Sequence, residues 1–246
     1  MNENQSNLKS LPLIIASTIL ALAMGLGLNQ VGNGFASRAG EGITVTGSAK
    51  VDAVADKAVW PINAEQIAPT LSAAVAKVNS AVESVTKYLT DGGIPATAIE
   101  YASVSAYPQE EFVNGNSTGR ILNYRASRTV TVRTEDVELV QKLSQGIGSL
   151  LATGVSVSNY GPQFYVSKLS DLRPELLKSA MEDAKLRAES IVSATGGKVG
   201  AVLSVRSGPF QVTSPDSTDI SAGGYYDTST IKKTITSTVT VMFKVK

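Results

Sequence analysis

The 246-residue chain contains no cysteine and no histidine. Without cysteine there is no disulfide, no thiol nucleophile, no thiolate metal site and no lipid-bearing N-terminal cysteine. Without histidine there is no imidazole ligand for zinc or haem, and every triad that uses histidine as its base is excluded. Charge is also scarce. Charged residues make up 17% of the chain and the net charge is +1. No field of one sign is available to recruit nucleic acid or acidic partners. A hydrolase using Asp/Glu, Ser or Lys stays open chemically, but no residue constellation in the chain specifies a reaction, so the expectation is no catalytic residues, no cofactor, no metal and no nucleic-acid partner. A cysteine-free chain suits an oxidising envelope compartment.

What is present begins with a long apolar stretch. From Ser10 to Ser37 no residue is charged, and residues 11–28 read LPLIIASTILALAMGLGL. As a helix this segment would reach about 27 Å, close to the hydrocarbon thickness of a bilayer. That length favours an uncleaved membrane anchor over a signal peptide, whose apolar region is shorter. Gly34 and Ala36 nevertheless have the small-residue spacing of a cleavage site after Ala36, so both readings stand. The organisation predicted is a polar tail over 1–10, a transmembrane or signal segment over 11–28, a flexible linker over 29–41, and a folded domain over 42–246. A ten-residue tail is more easily left inside than a large domain. The domain is therefore expected outside the cytoplasm, anchored to the membrane or released from it if the segment is removed.

Periodicity gives the order ββαββαβαββ. Residues 43–51 and 56–66 read as strands, with Pro61 demanding an edge or an irregularity. Leu71, Val75, Val78, Val82, Val85 and Leu89 form one helical stripe, started by Pro69–Thr70 and ended by Gly92–Gly93. Residues 98–134 read as strand, polar loop and long strand, with Glu110 and Glu111 in the loop. Adjacent carboxylates on a strand point to opposite faces and make a poor acid–base pair. A second helix covers 136–154, with Val140, Leu143, Ile147 and Leu150 on its stripe and Gly146 and Gly148 weakening it. A strand over 155–167 is interrupted by Gly161–Pro162. A third helix covers 174–195, with Pro174 first and a face of Leu177, Ala180, Met181, Ala184, Ala188 and Ile191. Residues 234–246 alternate as a half-buried strand. The fold class is α+β, an antiparallel or mixed sheet with about three helices packed on it. A strand, helix, Gly-Gly, strand pattern occurs near 56–104 and again near 155–205, which suggests an internal duplication.

The glycines of SATGGKVGAVLSV (193–205) invite comparison with a phosphate loop. A phosphate loop runs from strand through glycine into a helix N-terminus, where free N–H groups and the positive dipole end meet the anion. Here the order is helix, glycine, strand, so the glycines meet the negative end of a helix and act as its stop. Two surfaces remain as candidates. The segment GGYYDTST offers Tyr225, Tyr226 and Asp227 as a partner-binding loop. Asp216, Asp219 and Asp227 could collect a hard cation, but their spacing matches no calcium-loop pattern.

ITVTGSAKVDAVADKAVW, AVAKVNSAVESVTKYLTDGGI with its Asn79, the alanine-rich LLKSAMEDAKLRAESIVSATGGKVGAVLSV and TVTVMFKV together resemble the SIMPL-domain (DUF541) family, of the type of a bacterial periplasmic immunogen. The resemblance spans about residues 42–246. It implies an α+β fold, a cell-envelope location and no established catalytic residue. Some members of that family are similar to ring-like oligomers proposed to be channel-like, and others are linked to oxidative-stress tolerance. The long apolar N-terminus departs from a simple signal. The leading expectation is a non-enzymatic envelope protein that forms a homo-oligomer, as a scaffold or channel-like ring with an envelope or oxidative-stress role. It would be held to the membrane through residues 11–28. The alternative is a monomeric ligand- or partner-binding signalling module.

Overall fold

The computed structural model describes Met24, residues 42–218, Ser221 and residues 223–246. The expected tail, anchor, linker and cleavage site after Ala36 lie outside these residues, apart from Met24. In chain order the elements are β1 (Gly42–Val54), β2 (Lys57–Ala68), α1 (Leu71–Asp91), a 3-10 turn (Ala96–Ala98), β3 (Ile99–Tyr101), β4 (Ser105–Val113) and β5 (Asn116–Thr134). Then follow α2 (Val137–Gly146), α3 (Gly148–Ala152), β6 (Val157–Asn159), β7 (Gln163–Tyr165), α4 (Leu169–Ser193), β8 (Val199–Ser207), β9 (Gln211–Thr213), β10 (Tyr225–Tyr226) and β11 (Lys232–Val245). The chain is α+β, as its periodicities predict.

Two sheets are present where the sequence suggested one. One has the order β3–β5–β2–β6, with β4 also on β5 and β7 also on β2; the other has the order β1–β11–β9–β10, with β8 also on β11. β2 runs antiparallel to β5, β6 and β7. β9 runs antiparallel to β11 and parallel to β10. Alternation shows that a strand has a buried face, not which sheet it joins. By contacts the described chain falls into two compact units. The larger comprises Ser48–Ala180 and Ser207–Thr238; the smaller comprises the described residues up to Gly47 with Met181–Arg206 and Val239–Lys246.

In the larger unit Trp60, Ile62, Val130 and Val132 of the sheet pack with Val78, Val82, Val85 and Leu89 of α1. Val140, Leu143, Ile147 and Leu150 close the same core. Trp60 is fully buried, and its indole N–H donates to Asn159 Oδ1 at 2.8 Å. Thr70 caps α1 by accepting from the Ala73 N–H at 3.2 Å, as the sequence predicts. The buried face differs in detail. Leu71 is 46% exposed, while Ala74 and Ala81 are buried, because the small side chains let the helix sit close on that side. Pro61 is an irregularity rather than an edge residue. It pairs with Thr131 of β5, while on the other side β7 meets residues 57–59 and β6 meets residues 62–64, so no neighbour needs its missing N–H.

Three expectations are corrected. The polar loop over residues 110–119 is a hairpin. Asn114 and Gly115 have φ of 50° and 84°, the left-handed pair of a two-residue turn, and Val113 pairs with Asn116 around them. The second helix is not continuous, since α2 ends at Gly146, Ile147 links, and α3 starts at Gly148. The third helix starts at Leu169, so Pro174 lies inside it rather than first. Pro174 is the sixth residue of this helix, so its missing N–H forgoes one intrahelical bond, and the residues before it are helical despite that loss. Ala180, Ala184 and Ala188 of α4 are buried as predicted, but Leu176 and Val192 complete the buried row and Ile191 is 53% exposed.

The smaller unit buries Val45, Ala184, Ala188, Val192, Val239, Val241 and Phe243. Gly196, with φ of +78°, ends α4, and the Gly197 N–H reaches back to the Val192 carbonyl at 3.2 Å. This is the helix stop that the glycine pattern predicts.

Candidate functional site

The most conspicuous surface of the larger unit is the β4–β5 hairpin. A strand with one face packed alternates buried and exposed residues. Here every residue from 116 to 122 is exposed, and on β4 only Gln109 and Glu111 are partly covered. Phe112 is 65% exposed, Val113 54%, Ile121 46% and Leu122 49%. Several charged groups of the hairpin are held by polar partners. Arg120 meets Glu111 at 3.2 Å, Ser117 Oγ donates to the Glu110 carboxylate, and Arg125 meets Glu65 at 2.9 Å. Register shifts beside Gln109 and Glu110 twist the ribbon away from regular pairing. What the hairpin offers a partner is therefore largely apolar. The sequence contained its signal, the Asn-Gly turn between alternating residues, within a stretch that composition alone makes look like a polar loop.

In the smaller unit β8 is the second bare surface. Residues 201–207 are all exposed, including Val202 at 48%, Leu203 at 52% and Val205 at 52%. A long apolar strand of this kind is a template for pairing.

The predicted partner-binding segment divides in the structure. Tyr225 and Tyr226 form β10, paired to Gln211 and Val212 of β9. Tyr225 is 42% exposed. Tyr226 faces inward: its hydroxyl accepts from the Val166 N–H at 2.8 Å, and its ring lies 5.9 Å from that of Tyr165. Asp227 is buried beside Lys233, whose side chain is fully buried, at 3.1 Å. Lys233 Nζ also donates to the Asp227 carbonyl at 2.6 Å. Desolvation pushes the Asp227 carboxyl up. Hydrogen bonds from Thr230 and Ser229, with Lys233, outweigh it and hold the group well below the ordinary carboxylate range. Desolvation lowers the Lys233 ammonium, partly offset by Asp227. This cluster ties the end of the 214–230 segment to β11. Lys233 was legible in the sequence, since its parity along the strand matches inward-facing Ile235 and Val239.

Asp216 is exposed and Asp219 lies outside the described residues. Among the described residues no group of three or more carboxylates is placed to hold a metal ion. Among them, too, no helix is long and apolar enough to cross a membrane. A shallow groove along α1 is lined by Asn79, Thr86, Tyr101 and Arg128. In it Arg128 lies over the Tyr101 ring at 5.3 Å, Thr86 Oγ1 and the Tyr101 hydroxyl are 3.1 Å apart, and Asn79 Oδ1 is buried without a partner.

The sequence model of SIMPL, described as a protein of unknown function (DUF541), matches residues 43–243. The chain is 27% identical to "Uncharacterized protein YggE" of Edwardsiella ictaluri over 192 residues, 77% of this chain and 78% of that one. It is 27% identical to the Escherichia coli K12 protein of the same name over 196 residues, 76% of this chain and 74% of that one. Among solved structures, an amidase of the hydantoinase/carbamoylase family from Burkholderia vietnamiensis matches with a TM-score of 0.25 and 18% identity. It covers 50% of this chain and 32% of its own. This chain thus spans about a third of the length of that structure, and a likeness so slight carries no argument.

Proposed function

Since the chain belongs to the SIMPL (DUF541) family, we propose from that premise that it is a non-enzymatic protein of the cell envelope that assembles with copies of itself. The observation that carries the reading is the β4–β5 hairpin, bare on both faces and apolar along its tip. A two-stranded ribbon is marginal in water by itself and gains most when another surface covers it. A second copy of the chain suits it, because the exposed apolar side chains of one arm, Phe112, Val113, Ile121 and Leu122, can cover those of another. The apolar β8 strand supports the same reading independently. The uncharged stretch from Ser10 to Ser37 supports an envelope location with residues 11–28 in the membrane, and the missing cysteine and histidine support a role without catalysis. The scaffold or channel-like arrangement and the stress role follow the family resemblance.

The test is the solution mass by light scattering over a wide range of protein concentration. The unaltered chain is expected at several times the protomer mass, and the Phe112→Glu, Leu122→Glu double variant at the protomer mass. An unaltered chain that stays monomeric throughout overturns assembly. It would leave the binding-module alternative, with the exposed Tyr225 the first residue to change.

A further inference from the structure

A separate cavity lies on the polar face of the β1, β9 and β11 strands. The ladder places Thr236 beside Gln211 and Thr234 beside Thr213. Thr234 Oγ1 donates to Asp52 Oδ1 of β1 at 2.9 Å, and Thr46 Oγ1 of β1 lies 3.1 Å from Thr240 Oγ1 of β11, so the two strands run antiparallel and Lys50 is level with Thr236. Lys50, Thr236 and Gln211 therefore form one row across three strands. The 214–218 segment closes the cavity with Pro215 and Thr218, leaving about 300 Å³. That volume is at the lower end for small-molecule sites, about 300–1,000 Å³.

The lining has a specific chemistry. Among the described residues it contains one cation, Lys50, and no carboxylate, while Asp52 outside it accepts from the lining Thr234. Among the described residues Lys50 forms no ion pair, and Thr218, Thr236 and Thr238 have no hydrogen-bonded side-chain partner. Gln211 is 8% exposed; its Nε2 donates to the Ser221 carbonyl at 2.7 Å, and its buried Oε1 has no partner. A buried acceptor left unpaired calls for a donor. An ammonium with no counter-ion, at the mouth of a hydroxyl-lined cavity, calls for an anion carrying hydroxyls.

We propose that this cavity binds a small hydroxylated organic anion of the sugar-acid class. Its carboxylate meets Lys50 and its hydroxyls exchange hydrogen bonds with the threonines, with Gln211 Oε1 as an acceptor at the base. The methyl groups of the threonines and the Pro215 ring supply the apolar contacts along the carbon chain. The proposal is independent of self-assembly, because none of these residues belongs to the β4–β5 hairpin or to β8.

The test is titration calorimetry of the full-length chain in mild detergent, with glucuronate, glucose and acetate as probes. Glucuronate is expected to bind saturably, and neither glucose nor acetate to match it. Lys50 is exposed, so Lys50→Met should fold normally and weaken glucuronate by about tenfold or more, the loss of one charge-assisted contact. Thr236→Val should weaken it without abolishing it. No saturable heat with glucuronate, binding unchanged by both substitutions, or acetate binding as tightly as glucuronate would each overturn the proposal. Unfolding midpoints of the two variants, taken alongside, separate a lost contact from a lost fold.

Discussion

At the scale of single residues the Asp227–Lys233 pair is costly to disturb. Lys233 has no exposed side-chain surface, and its charge is matched within 3.1 Å. Asp227→Asn leaves that ammonium buried without its counter-charge and is expected to lower stability by about 3–5 kcal/mol. Denaturant unfolding at neutral pH measures this. The pair also sets a pH dependence. A carboxylate whose folded pKa lies below its unfolded value stabilises the fold above that unfolded value, about 3.9, and loses the contribution as pH falls toward the folded one. Unfolding free energy should therefore decline below about pH 4 in the unaltered chain. In the Asn variant this part of the decline should be absent.

At the scale of elements the two glycines around Ile147 separate. By composition both weaken the second helix alike. In the structure a Cβ on Gly148 would meet nothing within 4 Å, whereas one on Gly146 would come within 2.8 Å of the Tyr88 hydroxyl. That hydroxyl donates to the Leu143 carbonyl at 2.7 Å, tying α1 to α2. Gly148→Ala should raise stability by roughly 0.5–1 kcal/mol. Gly146→Ala should lower it by about 1–2 kcal/mol, as the contact and the hydrogen bond cannot both be kept. Thermal unfolding of the two variants side by side decides it. The elements themselves were largely legible. The cap at Thr70, the stripe of α1 from Val78 to Leu89 and the glycine stop at Gly196 follow from local rules that need no partner. The start of α4 was not, because Pro174 fits both a first position and a place one turn in.

At the scale of the whole molecule the exposed hairpin and the buried core should respond oppositely to polar substitution. Phe112→Ser and Leu122→Ser remove side chains that are about half exposed or more, and at low protein concentration they should leave monomer stability within about 0.5 kcal/mol. Trp60→Ala empties a fully buried site hydrogen-bonded to Asn159 and should cost about 3–5 kcal/mol. If the arm substitutions cost as much as the core one, the arm is part of the protomer's own packing and the assembly reading fails.

The sequence by itself determined the α+β class, the stripe of α1 from Val78 to Leu89, the sign and sparsity of charge, and the exclusion of thiol and imidazole chemistry. All of these are set by residue type and local period. Only the tertiary structure decided that there are two sheets, that the Asn114–Gly115 stretch carries a bare apolar arm, that Asp227 turns inward to Lys233, and that Lys50, Thr236 and Gln211 share one row. Those facts depend on which strands pair and in what register. Pairing is chosen by contacts between residues far apart in the chain, which local periodicity does not encode.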